Sequence, residues 1–312
     1  MQNQELKNLE LFYDVLDESN NLMFEFYKKP YFDLLELTVK NILAGEVLNN
    51  IEDDDKKSLE KIYAKLENVN FSLEDIRKSM QAIILKGFKE MGIPNGNTTP
   101  DTIGLLYVYL ILKLFKDEKR SLSILDPLAG TGNLLFTVAN SLKEEPLLFA
   151  CDNDEYMVRL IKMTSDLLGY NVDIFLQDTR QLNLINLDVI MFDMPNTNNE
   201  KEYLPYSYIL NYSKMLSENG VILGLVSNDF FDFDNDKKFR DNLLKDLSIV
   251  GLIELPDEMF KQSKPKIILV LAKKKLDKEC FIVKLPSFND VNLFNQSLME
   301  IEAWFENNYY KN

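Results

Sequence analysis

Histidine is absent from this 312-residue sequence, which also contains only two cysteines and one tryptophan. Without imidazole, the Ser-His-Asp and Cys-His arrangements of nucleophilic catalysis and all His-ligated metal sites are excluded. Cys151 and Cys280 lie far apart without a CxxC spacing, so they predict neither a disulfide framework nor a zinc site. Any chemistry must use carboxylates, amides, hydroxyls, backbone groups or a cofactor, and we expect no metal.

Long hydrophobic runs are missing as well. No apolar stretch reaches the roughly 18 residues that a membrane span requires, and the first sixteen residues are polar and acidic. These features predict a cytoplasmic protein with reduced thiols and no membrane partner.

Positive charge is scarce, since 50 acidic side chains outnumber 35 basic ones and give a net charge of −15. A generally basic surface that grips nucleic acid is therefore disfavoured. Residues 121–200 carry 4 basic and 12 acidic side chains, whereas residues 201–280 carry 13 of each. The later region holds two basic clusters, which either contact a polyanion or are solvated helix and loop charges. They are Lys237, Lys238 and Arg240, and Lys261, Lys264 and Lys266.

The spacing of apolar residues changes near residue 92. Over about the first ninety residues they recur every three or four positions, which is typical of amphipathic helices. Ser72 followed by Asp75 predicts a capped helix start. The segment Gly92–Asn97 is rich in helix breakers and predicts a boundary. We therefore expect four or five helices in a domain at 1–92 and a second domain at 93–312.

Seven short apolar runs then alternate with helical stretches, which predicts a parallel α/β sheet with helices on both faces. The last two runs are separated by about ten residues, too few for a right-handed crossover helix, so one of them is expected to run antiparallel. The runs span residues 122–125, 147–151, 172–176, 187–192, 221–226, 249–254 and 267–272.

A glycine-containing turn follows the first predicted strand. In Ile124–Leu135 the sequence reads ILDPLAGTGNLL, with the strand ending at Asp126 and a helix beginning near Asn133. Ligands of doubly wound sheets bind at such turns, and Gly130 and Gly132 allow them to approach the backbone. The third glycine of a dinucleotide fingerprint and the Gly-Lys-Ser/Thr of a phosphate loop are missing. An acidic turn favours a cationic or neutral ligand such as S-adenosylmethionine over a phosphate.

This turn resembles motif I of class I S-adenosylmethionine-dependent methyltransferases. Its form is similar to that of adenine-N6 DNA methyltransferases, above all the modification subunit of type I restriction systems and its stand-alone bacterial relatives. The resemblance covers roughly residues 98–275. It implies a Rossmann-like, seven-stranded methyltransferase sheet, mostly parallel with one antiparallel strand, and an N-terminal helical domain.

The resemblance also implies a set of cofactor-binding residues. Thr99 and Pro100 match a Thr-Pro motif that helps to hold the methionine moiety, and Asp152 ends the second strand, where an acidic residue accepts both ribose hydroxyls. Asp178 ends the third strand, at the position of a contact to the adenine amino group, although a simple cap or solvated carboxylate is the alternative there. The implied set is Thr99, Pro100, Asp126, Gly130, Thr131, Gly132, Asn133, Asp152 and Asp178.

The implied catalytic motif departs from the family's pattern. Adenine-N6 enzymes carry Asn/Asp-Pro-Pro-aromatic after the fourth strand, whereas residues 193–196 read DMPN. The resemblance implies that Asp193 and the carbonyl of Pro195 accept hydrogen bonds from the target amine. Asn196 stands where an aromatic ring stacks on the extruded base, so that surface must come from another residue. The aromatic residues that could replace it are Tyr203, Phe230 and Phe231.

Together these motifs predict a methyltransferase that moves a methyl group directly from the sulfonium of S-adenosylmethionine to the N6 amine of adenine in DNA. Two alternatives stay open. One is a catalytically degenerate cofactor-binding or interaction protein, in which Asp193 merely ends a strand. The other is methyl transfer to a protein or a small molecule. DNA is an expected partner that the net charge disfavours, and a protein partner or a homodimer is also open.

Overall fold

The computed structural model describes residues 2–48, 50–94, 98–195, 203–234, 237–260 and 264–311. Within these ranges the chain forms ten α-helices and eight β-strands. The helices are α1 Gln2–Tyr27, α2 Tyr31–Ala44, α3 Asp53–Tyr63, α4 Leu73–Met91, α5 Asp101–Leu114, α6 Asn133–Ser141, α7 Glu155–Leu168, α8 Leu204–Tyr212, α9 Lys238–Asp246 and α10 Val291–Trp304. The strands are β1 Ser123–Asp126, β2 Leu147–Asp152, β3 Val172–Leu176, β4 Leu187–Asp193, β5 Leu216–Ser227, β6 Ser248–Glu254, β7 Lys266–Ala272 and β8 Phe281–Lys284.

The first four helices pack together and against α7. Buried apolar side chains from α1, α2 and α4 meet Met157 and Leu160 of α7 in one cluster. The predicted cap of α4 is confirmed: Asp75 N donates to Ser72 Oγ (3.1 Å), and Ser72 N donates to Asp75 Oδ2 (2.9 Å). This reciprocal pair satisfies two backbone donors that the helix itself leaves unpaired.

The strands form a single sheet in the order β3-β2-β1-β4-β5-β7-β6-β8. Strand β7 runs antiparallel to both of its neighbours, and the other pairings are parallel, which confirms the expected antiparallel strand. The sheet has eight strands rather than the expected seven. The additional strand β8 is four residues long, and only Phe281 and Val283 in it are buried, so its alternation was too short to predict a strand.

The central strands are buried on both faces, which explains their continuous apolar sequences. In β4, Val189 packs in one cluster and Ile190 in the other, because successive side chains point to opposite sides of the sheet. Helices α5, α6 and α10 cover one face, whereas α8 and α9 cover the other. Among the helices of the described ranges, none is long and apolar enough to cross a membrane.

Helix α5 fixes the end of β4. The buried Tyr107 hydroxyl donates to the carbonyl of Phe192, at 3.1 Å, one residue before Asp193. Because β1, β2, β3 and β4 are parallel, their carboxyl ends meet at one edge of the sheet. That edge is where ligands bind in doubly wound folds.

Candidate active site

A cavity of about 580 Å³ lies at this edge, within the size range of small-molecule sites. Its lining comes from the segment before α5, the turn after β1, the ends of β2, β3 and β4 with the residues that follow them, helix α8 and the first residue of β7. Six residues of the predicted site line it, although they come from five separate segments of the chain. They are Thr99, Gly130, Asp152, Asp178, Asp193 and Pro195.

The Asp152 carboxylate is oriented by two backbone donors. Gly130 N donates to its Oδ2 and Asp154 N donates to its Oδ1, both at 2.9 Å. Burial raises the pKa of Asp152, and these two hydrogen bonds act against that shift. Since each carboxylate oxygen can accept more than one hydrogen bond, the group keeps acceptor capacity for a ligand in the cavity.

The turn between β1 and α6 depends on left-handed backbone at Gly132. Its φ is +76°, its N–H donates to the carbonyl of Ala129 (2.8 Å), and an added Cβ would lie 2.8 Å from the Phe136 ring. A side chain here would meet both backbone strain and the packed ring. The glycine therefore serves the close packing of the turn on α6.

We expect Gly132→Ala to lower the free energy of unfolding by about 2 kcal/mol, or the melting temperature by about 3 °C. Gly169→Ala is the matched control, because Gly169 has a similar φ of +75° but open space around its missing Cβ. Thermal unfolding of both variants separates the cost of the backbone strain from the cost of the contact with the Phe136 ring. Equal losses in the two proteins would show that the contact with Phe136 contributes nothing.

The remaining cofactor-site residues lie behind the cavity wall, and their contact with the cofactor stays a prediction. Asp126 is 1% exposed, its Oδ1 accepts from Leu128 N (3.1 Å), and burial raises its pKa well above the usual value. The buried Thr131 lies within 3.5 Å of the Thr98 hydroxyl. Pro100 is the N-cap residue of α5.

Asn133, the last of these residues, connects the site to the helical region. Its Nδ2 donates to the carbonyl of Thr99 (2.8 Å), and its Oδ1 accepts from Arg77 Nη1 (2.6 Å). Arg77 belongs to α4 and is 1% exposed. No local sequence pattern associates Arg77 with the site, because 56 residues separate it from Asn133.

At the end of β4, two acceptors face one nitrogen atom. The Lys266 ammonium forms an ion pair with Asp193 Oδ1 and donates to the carbonyl of Met194, at 2.9 Å. Thr99 Oγ1 donates to the other carboxylate oxygen of Asp193 (3.2 Å). The Pro195 carbonyl, which the resemblance implies as the backbone acceptor, stays a prediction: Pro195 lines the cavity, whereas the carbonyl that shares the Lys266 ammonium with Asp193 is that of Met194.

The predicted replacements for the stacking aromatic do not line the cavity. Phe230 is completely buried, and Tyr203 stacks on Phe233 with ring centroids 4.1 Å apart. Phe231 packs edge-on against Phe230. Among the described residues that line the cavity, Tyr208 is the one aromatic. Asn196 itself lies outside the described residues.

The charges around the cavity are mostly negative. Asp178, one of the predicted cofactor contacts, is engaged by Arg180, whose Nε lies 3.0 Å from each carboxylate oxygen; this contact lowers the pKa of Asp178. The excess of carboxylates over cations favours a cationic ligand. The charged lining residues are Asp152, Asp154, Asp178 and Asp193 on one side, and Arg180 and Lys266 on the other.

Three members of the two basic clusters are paired with carboxylates: Arg240, Lys264 and Lys266. Lys264 pairs with Asp229 at 2.8 Å, and Arg240 lies 3.3 Å from Asp234. Lys266 is paired as described above, whereas Lys261 lies outside the described residues. These ion pairs favour the interpretation of the two basic clusters as charges that are balanced within the protein.

Two family models match the chain. One is described as the YtxK N-terminal helical domain and matches residues 10–88. The other is described as N-6 DNA Methylase and matches residues 72–307, well over half of the chain. The chain belongs to the N-6 DNA methylase family. The predicted family, the methyltransferase fold and the cofactor, S-adenosylmethionine, are thereby confirmed, and the protein is an S-adenosylmethionine-dependent methyltransferase.

This methylase is similar to the uncharacterized protein YtxK of Bacillus subtilis (strain 168), with 29% identity over 276 residues that cover 81% of this chain and 84% of the relative. A Listeria monocytogenes structure, described as a candidate class I S-adenosylmethionine-dependent methyltransferase, has a TM-score of 0.84 and 29% identity, covering 96% of this chain and 99% of its own. The methyltransferase subunit of a type I restriction-modification system from Streptococcus thermophilus has a TM-score of 0.61 at 13% identity, with coverages of 95% and 74%. At that identity the likeness shows the fold alone.

The cavity of the methylase fits this cofactor. The sulfonium and ammonium groups suit a lining in which carboxylates predominate, and Asp152 offers oriented acceptors for a pair of hydroxyls. Lys266 and the Met194 carbonyl were not predicted as site residues. The expected antiparallel strand could have identified Lys266 as a site residue. It places the first residue of β7 at the same edge of the sheet as the carboxyl ends of β4 and β5.

Proposed function

We propose that this methylase transfers a methyl group to the N6 amine of adenine in DNA. The observation that carries the proposal is the convergence of the Asp193 carboxylate and the Met194 carbonyl on one nitrogen at the cavity. An exocyclic amine has two N–H groups, and two acceptors at this spacing can take both. The remaining lone pair is then directed away from the acceptors, which is the requirement for attack on a methyl group.

The residues of the chain act mainly by positioning. S-adenosylmethionine supplies an electrophilic methyl group on a sulfonium, and Asp152 would hold its ribose. Asp193 and Met194 hold the acceptor amine, and the Thr99 hydroxyl fixes the Asp193 carboxylate from its other side. Holding both reactants in one orientation accounts for a large share of the acceleration of such transfers.

The test is methylation of adenine-unmethylated genomic DNA with isotope-labelled cofactor, followed by mass spectrometry of the hydrolysed nucleosides. We expect N6-methyladenine, and we expect Asp193→Ala to lower its formation by about 10²-fold or more, since an oriented group at the reacting centre is typically worth that much. The alanine side chain offers no acceptor for the N–H groups of the target amine.

Asp229→Ala is the matched control. Asp229 comes shortly after the end of β5 and pairs with Lys264, whereas Asp193 ends β4 and pairs with Lys266. Unlike Asp193, Asp229 does not line the cavity. Its replacement is expected to leave methylation unchanged. Label in protein or in small molecules instead of adenine, from an otherwise active preparation, would contradict the proposal.

A second function is favoured by the ion pair of Lys266 with Asp193 and by the net charge of −15. In it, the chain binds the cofactor but methylates only with a partner, or no longer methylates. The partner that this alternative requires is a protein or DNA. Tight cofactor binding without methylated product from the chain alone would favour this alternative; product that appears only with added cell extract would indicate a required partner, and none with extract a chain that no longer methylates.

A further inference from the structure

The Lys266 side chain stands where the proposed acceptor amine would bind. Its ammonium reaches the Asp193 carboxylate and the Met194 carbonyl, the same two atoms that the proposed mechanism assigns to a target amine. We propose that Lys266 is an internal occupant of the acceptor site and sets its selectivity, because a target amine can bind only by displacing this ammonium. The inference rests on the proposed function and adds a specificity-determining residue to it.

The placement of Lys266 is built into the sheet. Lys266 is the first residue of β7 and pairs with Ser227 at the end of β5, so its side chain reaches across that end to β4. The side chains of Lys266 and Asp193 are only 12% and 21% exposed. The neighbouring Lys264 is 64% exposed and pairs with Asp229 outside the cavity. Lys266 therefore differs from an ordinary surface lysine in both burial and partners.

The occupied site has a chemical consequence. A protonated amine carries no lone pair, so Lys266 in this position is not itself a methyl acceptor. The Thr99 hydroxyl already donates to the second carboxylate oxygen of Asp193. A neutral amine must thus replace an ammonium that forms an ion pair with Asp193, and it forgoes the Coulomb attraction between the two charges. Weakly bound amines are excluded, and only an acceptor with further contacts to the protein can displace the ammonium.

The first test needs no methyl transfer. Lys266→Ala removes the side chain beyond Cβ, and the n-propylammonium ion has the same atoms as the part removed. We expect calorimetry to detect n-propylammonium binding to Lys266→Ala, no binding to the unaltered chain, and a loss of binding of at least tenfold in Lys266→Ala with Asp193→Asn. Circular dichroism confirms that each variant is folded. Absence of binding to folded Lys266→Ala would overturn the proposal.

The second test measures selectivity. Lys266→Met keeps the apolar length of the side chain without the charge, and we expect it to lower KM for DNA about tenfold with little change in kcat. Lys264→Met is the control and should leave KM unchanged. A fall in kcat with unchanged KM would overturn the proposal, because Lys266 would then support Asp193 during catalysis. If no variant methylates DNA, the proposed function fails, and the n-propylammonium result still decides whether Lys266 fills an amine site.

Discussion

Asp152→Ala is expected to weaken S-adenosylmethionine binding about 100-fold while leaving the fold intact. The carboxylate already accepts from Gly130 N and Asp154 N, so its orientation toward the cavity is fixed before any ligand arrives. If it accepts both ribose hydroxyls, its loss removes two hydrogen bonds to a charged group, each worth about 1.5–3 kcal/mol. Relaxation of the site reduces the net effect to about 3 kcal/mol, which is the 100-fold loss stated.

Isothermal titration with purified protein measures this directly. Asp166→Ala is the matched control, because it also removes one negative charge, from α7 behind the cavity, where Asp166 pairs with Lys162. That variant should bind the cofactor as the unaltered chain does. Equal binding by Asp152→Ala and the unaltered chain would remove Asp152 from the cofactor site.

The same group gives the binding a pH dependence. Burial raises the pKa of Asp152, so its carboxylate takes up a proton at a higher pH than an exposed aspartate does. Only the ionised form accepts hydrogen bonds on both oxygens. Cofactor affinity should therefore fall as the pH is lowered toward this raised pKa, and binding in that range should release protons. Titration in buffers of different ionisation enthalpy detects the release.

Local sequence patterns predicted most of the sheet and one side of the site. The run at 187–192 became β4, since a strand buried on both faces needs continuous apolar sequence. The run at 172–176 became the edge strand β3, whose side chains are half-buried or exposed. Asp152 and the turn after β1 line the same cavity, because parallel strands end at one edge of the sheet. These features depend on residues that are close in the chain, or on a topology that the alternation of elements already implies.

The contacts that complete the site depend on long-range geometry. Lys266 meets Asp193 across 73 residues, and Arg77 meets Asn133 across 56. No local sequence pattern distinguishes a buried, paired lysine or arginine from a solvated one. In the sequence, Lys266 and Arg77 therefore resemble ordinary charged residues of helices or loops. Strand β8 was missed for a related reason, because four residues with two buried side chains hold too little pattern.

Arg77 connects the helical region to the acceptor end of the site through a continuous series of hydrogen bonds. The guanidinium donates to Asn133, Asn133 donates to the Thr99 carbonyl, and the Thr99 hydroxyl donates to Asp193. Arg77 also bridges Asp101 of α5, at 3.0 and 2.8 Å, which ties α4 to α5. The planar fork of arginine makes these contacts together, which the single ammonium of lysine cannot do.

The charge balance around Arg77 makes it sensitive to replacement. Although burial acts to raise it, the hydrogen bonds from Arg77 and Asn133 hold the pKa of Asp101 below its ordinary value. A lowered carboxyl pKa contributes stability above the unfolded pKa, and that stability is lost as the pH falls through the folded pKa. Removing the guanidinium therefore costs most near neutral pH, where Asp101 is charged, and less in strong acid.

We expect Arg77→Met to lower the free energy of unfolding at neutral pH by about 3 kcal/mol, or the melting temperature by about 5 °C, because it leaves partly buried carboxylates without their cation. Arg77→Lys should recover part of the stability but not the contact with Asn133. Lys86→Met, which breaks the ion pair of α4 with Asp17 of α1, is the control for a helix-to-helix pair remote from the cavity.

Measurements of cofactor affinity and kcat separate a purely structural role of Arg77 from a role in positioning Thr99. If Arg77 acts only on stability, cofactor affinity and kcat measured well below the melting temperature should match those of Lys86→Met. If the series of hydrogen bonds positions Thr99, Arg77→Met and Arg77→Lys should both lower kcat at saturating cofactor, because the Thr99 hydroxyl then no longer fixes the Asp193 carboxylate. Full kcat in a destabilised Arg77→Met protein would show that the helical region supports the fold without adjusting the acceptor site.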